Sequence, residues 1–118
     1  MNSTIEKFGY PTTLVKEYEN WVITLRPVQI TLGSLILACK ENVESFSAIS
    51  RDSHLELSHA IVDLEKTLKT LFEFQKINYL MLMMLDPHVH FHVIPRYASP
   101  RILQGITFED LDWPGPPN

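Results

Sequence analysis

The sequence is short of cysteine, of long apolar runs and of clustered positive charge, and each shortage removes a class of protein. Cys39 is the single cysteine among 118 residues. No internal disulfide can form, so a disulfide-stapled secreted scaffold is excluded and a reducing, cytoplasmic setting is expected. No apolar stretch approaches the roughly 20 residues needed to cross a bilayer. The longest, Tyr79 to Leu85, suits a buried strand, and no membrane partner is expected. The first residues are polar and acidic where a secretory leader would need an apolar segment. Lysine and arginine together number 10 against 14 aspartates and glutamates, for a net charge of −4. With no basic block, binding to polymeric nucleic acid is not expected. Small anions remain open, because a pocket can hold a phosphate with backbone N–H groups and one or two cations. Internal repeats and low-complexity segments are also lacking.

What is present describes one ordinary globular domain, with 45% hydrophobic residues and mean hydropathy near zero. Gly9, Tyr10 and Pro11 read as a turn. Thr13 to Tyr18 and Trp21 to Leu25 read as two strands of a hairpin, and Pro27 ends the second because it cannot donate to a ladder. Gly33 opens the apolar run Ser34 to Cys39, and Val43, Phe46 and Ile49 suggest a short helix between Lys40 and Ser50. Ser53 and Glu56 form a capping-box pattern for a long helix reaching about residue 74. Its apolar stripe is Leu57, Ile61, Leu64, Leu68, Leu71 and Phe72. Two strands follow, Ile77 to Leu85 and Val89 to Pro95, with Asp86 and Pro87 as a short connection. Residues 1–97 thus read as an α+β domain with a mainly antiparallel sheet. Residues 98–118, rich in proline and glycine, read as a mostly irregular tail that Phe108, Leu111 and Trp113 hold against the body.

Three of the five histidines fall in His88-Val89-His90-Phe91-His92-Val93-Ile94. Alternate side chains of a strand point to opposite faces, so the three imidazoles share one face while Val89, Phe91 and Val93 pack on the helix. Three readings compete. The histidines can be the polar face of a surface strand. Two of them at i and i+2 can share a zinc with a ligand from elsewhere, though not all three: at ~3.3 Å per residue the outer pair stand roughly 13 Å apart. Or they can perform phosphoryl or nucleotidyl transfer, one neutral imidazole attacking phosphorus while its neighbour binds or protonates an oxygen. His54 and His59 lie on the helix and receive no role.

The run, followed by Pro95 and Arg96, resembles the histidine triad signature of histidine, apolar, histidine, apolar, histidine and two apolar residues. Trp21-Val22-Ile23, Arg26-Pro27, Gly33-Ser34-Leu35-Ile36-Leu37, the segment Asn42 to Phe46 and the long helix follow the family's order, so the resemblance covers roughly residues 10–97. It implies a five-stranded antiparallel sheet with one long and one short helix, paired into a two-fold homodimer. It also implies hydrolysis or transfer at the α-phosphate of nucleoside phosphoramidates or dinucleoside polyphosphates. A nucleotidyl intermediate would form on His90, His92 would contact the phosphate and assist the leaving group, and His88 would support the hydrogen bonds around them. No metal or other cofactor is required, although a substrate can arrive as a magnesium complex. The chain departs from the family in three places. Ser34 stands where many members have another histidine. Met83 to Pro87 replace a loop of glycine, glutamine and hydroxyl residues that holds phosphate. Arg26 sits near a ribose-contacting asparagine or aspartate. Further substrate-binding candidates are Ser34 as a hydroxyl, Asn78 as an amide donor, and Arg26 and Arg96 as cations. Three have a plainer reading: Asn78 as a turn-former, Arg96 as a solvated arginine closing a strand, and Ser34 as a small residue where backbones approach. The functional alternatives are a non-catalytic nucleotide-binding module and a zinc-dependent hydrolase.

Overall fold

The computed structural model describes residues 1–118. A short helix α1 (Ser3–Lys7) leads into the hairpin β1 (Leu14–Glu17) and β2 (Trp21–Leu25), then β3 (Leu35–Cys39). A single 3-10 turn (Phe46–Ala48) precedes the long helix α2 (Arg51–Phe72), followed by β4 (Lys76–Leu80) and β5 (His90–Arg96). Two short strands, β6 (Arg101–Leu103) and β7 (Ile106–Phe108), form a separate hairpin. The main sheet has five strands in the order β1-β2-β3-β5-β4, every pair antiparallel. This is the α+β architecture expected from the pattern of elements.

The period of two in the central strands gives the sheet two different faces. Trp21, Ile23, Leu35, Leu37, Cys39, Val89 and Val93 turn to one side, where Ala60, Leu64 and Leu68 of α2 meet them in the principal core. At about 1.5–3 kcal/mol for each fully buried large aliphatic or aromatic side chain, this layer dominates stability. Trp21 fits it completely because its indole N–H donates to Ser53 O at 2.8 Å. Val22, Ile36 and Ala38 turn to the opposite side and are covered by Ile5 of α1, with Phe8 and Tyr10 packed alongside. Gly33 (φ +83°) permits a close crossing, since a Cβ there would lie 3.0 Å from the Phe72 ring.

Several expectations are corrected. The α2 N-cap is Ser50, whose side chain accepts from Ser53 N at 3.1 Å. Ser53 is buried inside the first turn, and Glu56 instead accepts the Asn20 N–H at the β1–β2 turn. Serines three apart offer two capping registers, and burial of Ser53 selects between them. The helix ends at Phe72, with Glu73 in the left-handed conformation, and Leu71 is largely exposed. The short connection before the histidines is in fact the nine residues 81–89. Beyond the pair Leu80↔His92 the chain leaves β5, while Val89 bonds Val43 O and Cys39 N on the β3 side. Met83 adopts φ +49° in this loop, and Met84 and Leu85 project into solvent. The tail is less irregular than its composition suggests. Gln104 and Gly105, both at positive φ, close the β6–β7 hairpin as a primed turn requires. Phe108 packs on the principal core whereas Leu111 is exposed.

Candidate functional site

β5 lies between β3 and β4, so its backbone is fixed on both sides. His90 and His92 project from the face covered by α1, their ring centroids 5.2 Å apart. Phe8, just beyond α1, stands over both, at 5.5 Å from His90 and 5.8 Å from His92. His90 is only 1% exposed. Its Nδ1 lies 2.7 Å from the carbonyl oxygen of His88. A carbonyl can only accept, so Nδ1 carries the proton and the Nε2 lone pair is left free. Two consecutive features of the chain therefore define one unprotonated ring nitrogen: the strand positions the ring, and the bend before it sets the tautomer.

His92 is held neutral. Burial pushes its pKa down to about 4, with the His90 ring and the Arg26 guanidinium acting in the same direction against a smaller opposing effect of Asp86. His88 lies in the bend before β5 rather than in the strand. Its Nδ1 is 2.9 Å from Thr4 Oγ1, and its N–H donates to the same oxygen at 3.2 Å. Of the three imidazoles expected on one strand face, His90 and His92 stand on β5, while the His88 side chain ties the bend to α1, the helix that covers this face, and its carbonyl acts on His90. Lys7 adds an ion pair to Asp86 at 2.6 Å. No group of three or more histidine, cysteine, aspartate or glutamate side chains comes together as a metal site.

No protein-family model and no curated protein sequence matches the chain. Solved structures do. A histidine triad protein from Marinobacter aquaeolei superposes with a TM-score of 0.71 at 21% identity, over 94% of this chain and 74% of that one. A histidine triad family protein from Bacillus anthracis gives 0.67 at 22% identity, over 74% and 65%. A hypothetical histidine triad nucleotide-binding protein from Sulfolobus tokodaii gives 0.66 at 20%, over 74% and 62%. The fold is the histidine triad fold. This chain spans 65% of the length of the Bacillus anthracis and Bacillus subtilis structures it matches.

Within this histidine triad fold the remaining candidates separate. Arg26 extends β2 on the histidine face: its N–H donates to Ser34 O at 3.0 Å, and its Nη1 donates to Val28 O. Burial lowers its pKa. Ser34 is fully buried and serves its own turn, donating to Thr31 O at 2.8 Å and accepting from Thr31 N at 3.1 Å. Arg96 of β5, with Asn78 of β4 beside it, holds the tail. Arg96 gives Nε and Nη2 to Asp110 at 2.6 and 3.1 Å, Nη1 to Asn78 Oδ1 at 2.8 Å, and Nη2 to Gly115 O at 2.6 Å. The guanidinium anchors residues 110–115 and is already committed to protein partners.

Sequence reasoning passed over Thr4, Phe8 and Thr24. An aromatic residue immediately before a Gly-Tyr-Pro turn was the available signal for Phe8. For Thr24 it was the alternation Val22-Thr24-Arg26, opposite in phase to Trp21-Ile23-Leu25. The apolar cleft of about 550 Å³ between β2, α2 and the β6–β7 hairpin lies on the other side of the sheet from His90 and His92, so it is not part of this site.

Proposed function

We propose that this chain is a nucleotide hydrolase or nucleotidyl transferase acting at the α-phosphate of nucleoside phosphoramidates or dinucleoside polyphosphates. The observation that carries the reading is the His90 tautomer: the His88 carbonyl fixes the proton on Nδ1 and leaves Nε2 as a nucleophile beside a second imidazole. The histidine triad fold, with a hypothetical nucleotide-binding protein among its structural neighbours, supports a nucleotide substrate.

Nε2 of His90 attacks the α-phosphorus, forming a P–N bond as the bond to the leaving group breaks and its electron pair departs. The N–H of neutral His92 donates to a non-bridging phosphate oxygen. An approaching phosphate also raises the proton affinity of His92, so this ring can take up a proton when substrate arrives and pass it to the leaving amine or phosphate. Water then attacks the phosphorus, the P–N bond breaks, and the mononucleotide leaves with Nε2 restored. The proton released by water returns to His92. The residues call for no metal in these steps, and a polyphosphate substrate can enter as its magnesium complex. The enzyme is proposed to act as a homodimer, which sedimentation at micromolar concentration tests.

The decisive experiment incubates the protein with adenosine 5′-phosphoramidate and with diadenosine tetraphosphate, beside His90→Asn. Turnover, with a mass-shifted His90 peptide trapped on rapid acid quench, is expected only in the native protein. Equal turnover by the variant, or none by the native protein on either substrate, refutes the reading. One observation favours a second reading, a non-catalytic nucleotide-binding module: Phe8 and α1 leave His90 almost wholly covered. Calorimetric binding of AMP without turnover is the result that selects it.

A further inference from the structure

Two polar atoms in and beside β2, Thr24 Oγ1 and Arg26 Nε, are removed from water without a hydrogen-bond partner. Leaving a buried polar group unpaired costs about 1–3 kcal/mol, and more for a charged one. Two such atoms on one short segment are therefore not incidental packing. Thr24 and Arg26 alternate with Leu25, so they share the face of Val22 and of the histidines. The register sets Thr24 opposite Ile36 and Ile36 opposite His92. The hydroxyl and the imidazole thus flank one apolar side chain at two strand spacings, roughly 9–10 Å between Cα atoms. Arg26 stands one same-face step further along, about 7 Å away.

Arg26 has no carboxylate partner: the ion pairs of the chain are Lys7–Asp86, Lys16–Asp63, Lys40–Glu17 and Arg96–Asp110. Its single protein acceptor is the Val28 carbonyl, bound through Nη1, so Nε and Nη2 remain available. Its positive charge is nonetheless felt at His92. A cation lacking a counter-ion, an unpartnered hydroxyl and a neutral imidazole therefore border the same patch of sheet. A group rich in acceptors and carrying negative charge satisfies all three at once.

We propose that Thr24 and Arg26 form a second anion subsite on the triad face, holding a phosphate of the substrate other than the one His90 attacks. This rests on the nucleotide reading and deepens it: the substrate class becomes nucleotides with two or more linked phosphates. From His90 to Arg26 the sheet spans two strands and two same-face steps, roughly 16–17 Å between Cα atoms. A chain of linked phosphates extending from the phosphorus that His90 attacks covers the distance left between the two side chains.

The test measures binding of AMP, ADP and ATP by calorimetry in chelator, for the native protein and for Arg26→Gln, Arg26→Lys and Thr24→Val. Native affinity is expected to rise about tenfold or more from AMP to ATP, the size of one charge-assisted hydrogen-bonded contact. Arg26→Gln is expected to abolish that gain, Arg26→Lys to keep part of it, and Thr24→Val to reduce it. Thr24→Val should melt no lower than the native protein, since it removes an unpaired hydroxyl, and so it keeps the test valid if Arg26→Gln folds poorly. Equal native affinity for AMP and ATP, or a gain that survives in both Arg26→Gln and Thr24→Val, overturns the subsite. The two proposals fail separately. A His90 adduct together with an undiminished gain in the variants sinks the subsite alone, and loss of the gain with no adduct sinks the catalytic reading alone.

Discussion

His92 provides a quantitative test of the site's electrostatics. In an unfolded chain its imidazole titrates near 6.5, and in the folded protein only near about 4. The causes are burial first, then the His90 ring and Arg26, with Asp86 opposing them. Above pH 6.5 the ring is neutral in both states and the fold bears no penalty. Between 6.5 and about 4 the unfolded chain binds a proton that the native site refuses, so stability falls as the pH falls; below about 4 the loss is complete. The interval corresponds to roughly 3 kcal/mol at about 1.4 kcal/mol per pH unit. His92 is only half-buried, and solvent screening reduces the expected loss to about 1–2 kcal/mol. The assay is a titration of the ring resonances by NMR, paired with denaturant unfolding at pH 7, 5.5 and 4.5 for the native protein and His92→Gln. The carboxylates held low by their partners, Glu17, Glu41, Asp63 and Asp110, lose stability at acid pH in both proteins and cancel in the difference. His92→Gln should flatten the pH dependence, and Arg26→Gln should raise the His92 pKa by removing a nearby positive charge. A native ring titrating above pH 6, or equal pH slopes in the two proteins, would refute the reasoning.

Other perturbations probe the supporting structure. Asp110→Asn leaves Arg96 buried without its counter-ion, in a pair whose side chains are 4% and 2% exposed. We expect a loss of roughly 3 kcal/mol and faster amide exchange in residues 106–118, with much of the loss recovered in an Arg96→Met, Asp110→Leu double variant. Gly33→Ala places a Cβ 3.0 Å from the Phe72 ring at φ +83° and should cost about 2 kcal/mol by chemical denaturation. Phe8→Ala uncovers the two rings it stands over, so carbethoxylation of His90, followed by peptide mapping, should accelerate about tenfold or more as the site opens. An unchanged rate would show that α1 does not control access.

Burial order explains which parts of the fold were legible in the sequence. The hairpin of β1 and β2, the apolar strand β3 and the stripe of α2 follow from periods of 2 and 3.6, because each segment must hide one face locally. The alternation likewise assigned His88, His90 and His92 to one face and Val89, Phe91 and Val93 to the core, although β5 itself begins only at His90. Positions that depend on distant partners were not legible. Ser53 reads as a cap as readily as Ser50 does, and only its packing beside Trp21 and Glu41 decides. The run Tyr79 to Leu85 reads as one strand, yet β5 offers partners only as far as Leu80.

The same division holds at the site. The sequence alone determined that alternate histidines of the strand lie side by side, since the side-chain period of a strand is a property of the backbone, and the structure keeps His90 and His92 in that strand. Only the tertiary structure decided their chemical states. The His88 carbonyl sets the His90 tautomer, Phe8 and α1 remove His90 from water and half-cover His92, and Arg26 adds its charge across the one intervening strand, β3. Arg96 looked available for phosphate until the tail supplied Asp110 and Gly115. Hydrogen-bond partners and local dielectric come from residues far away in the chain, so they are fixed only when the sheet, helix and tail have assembled.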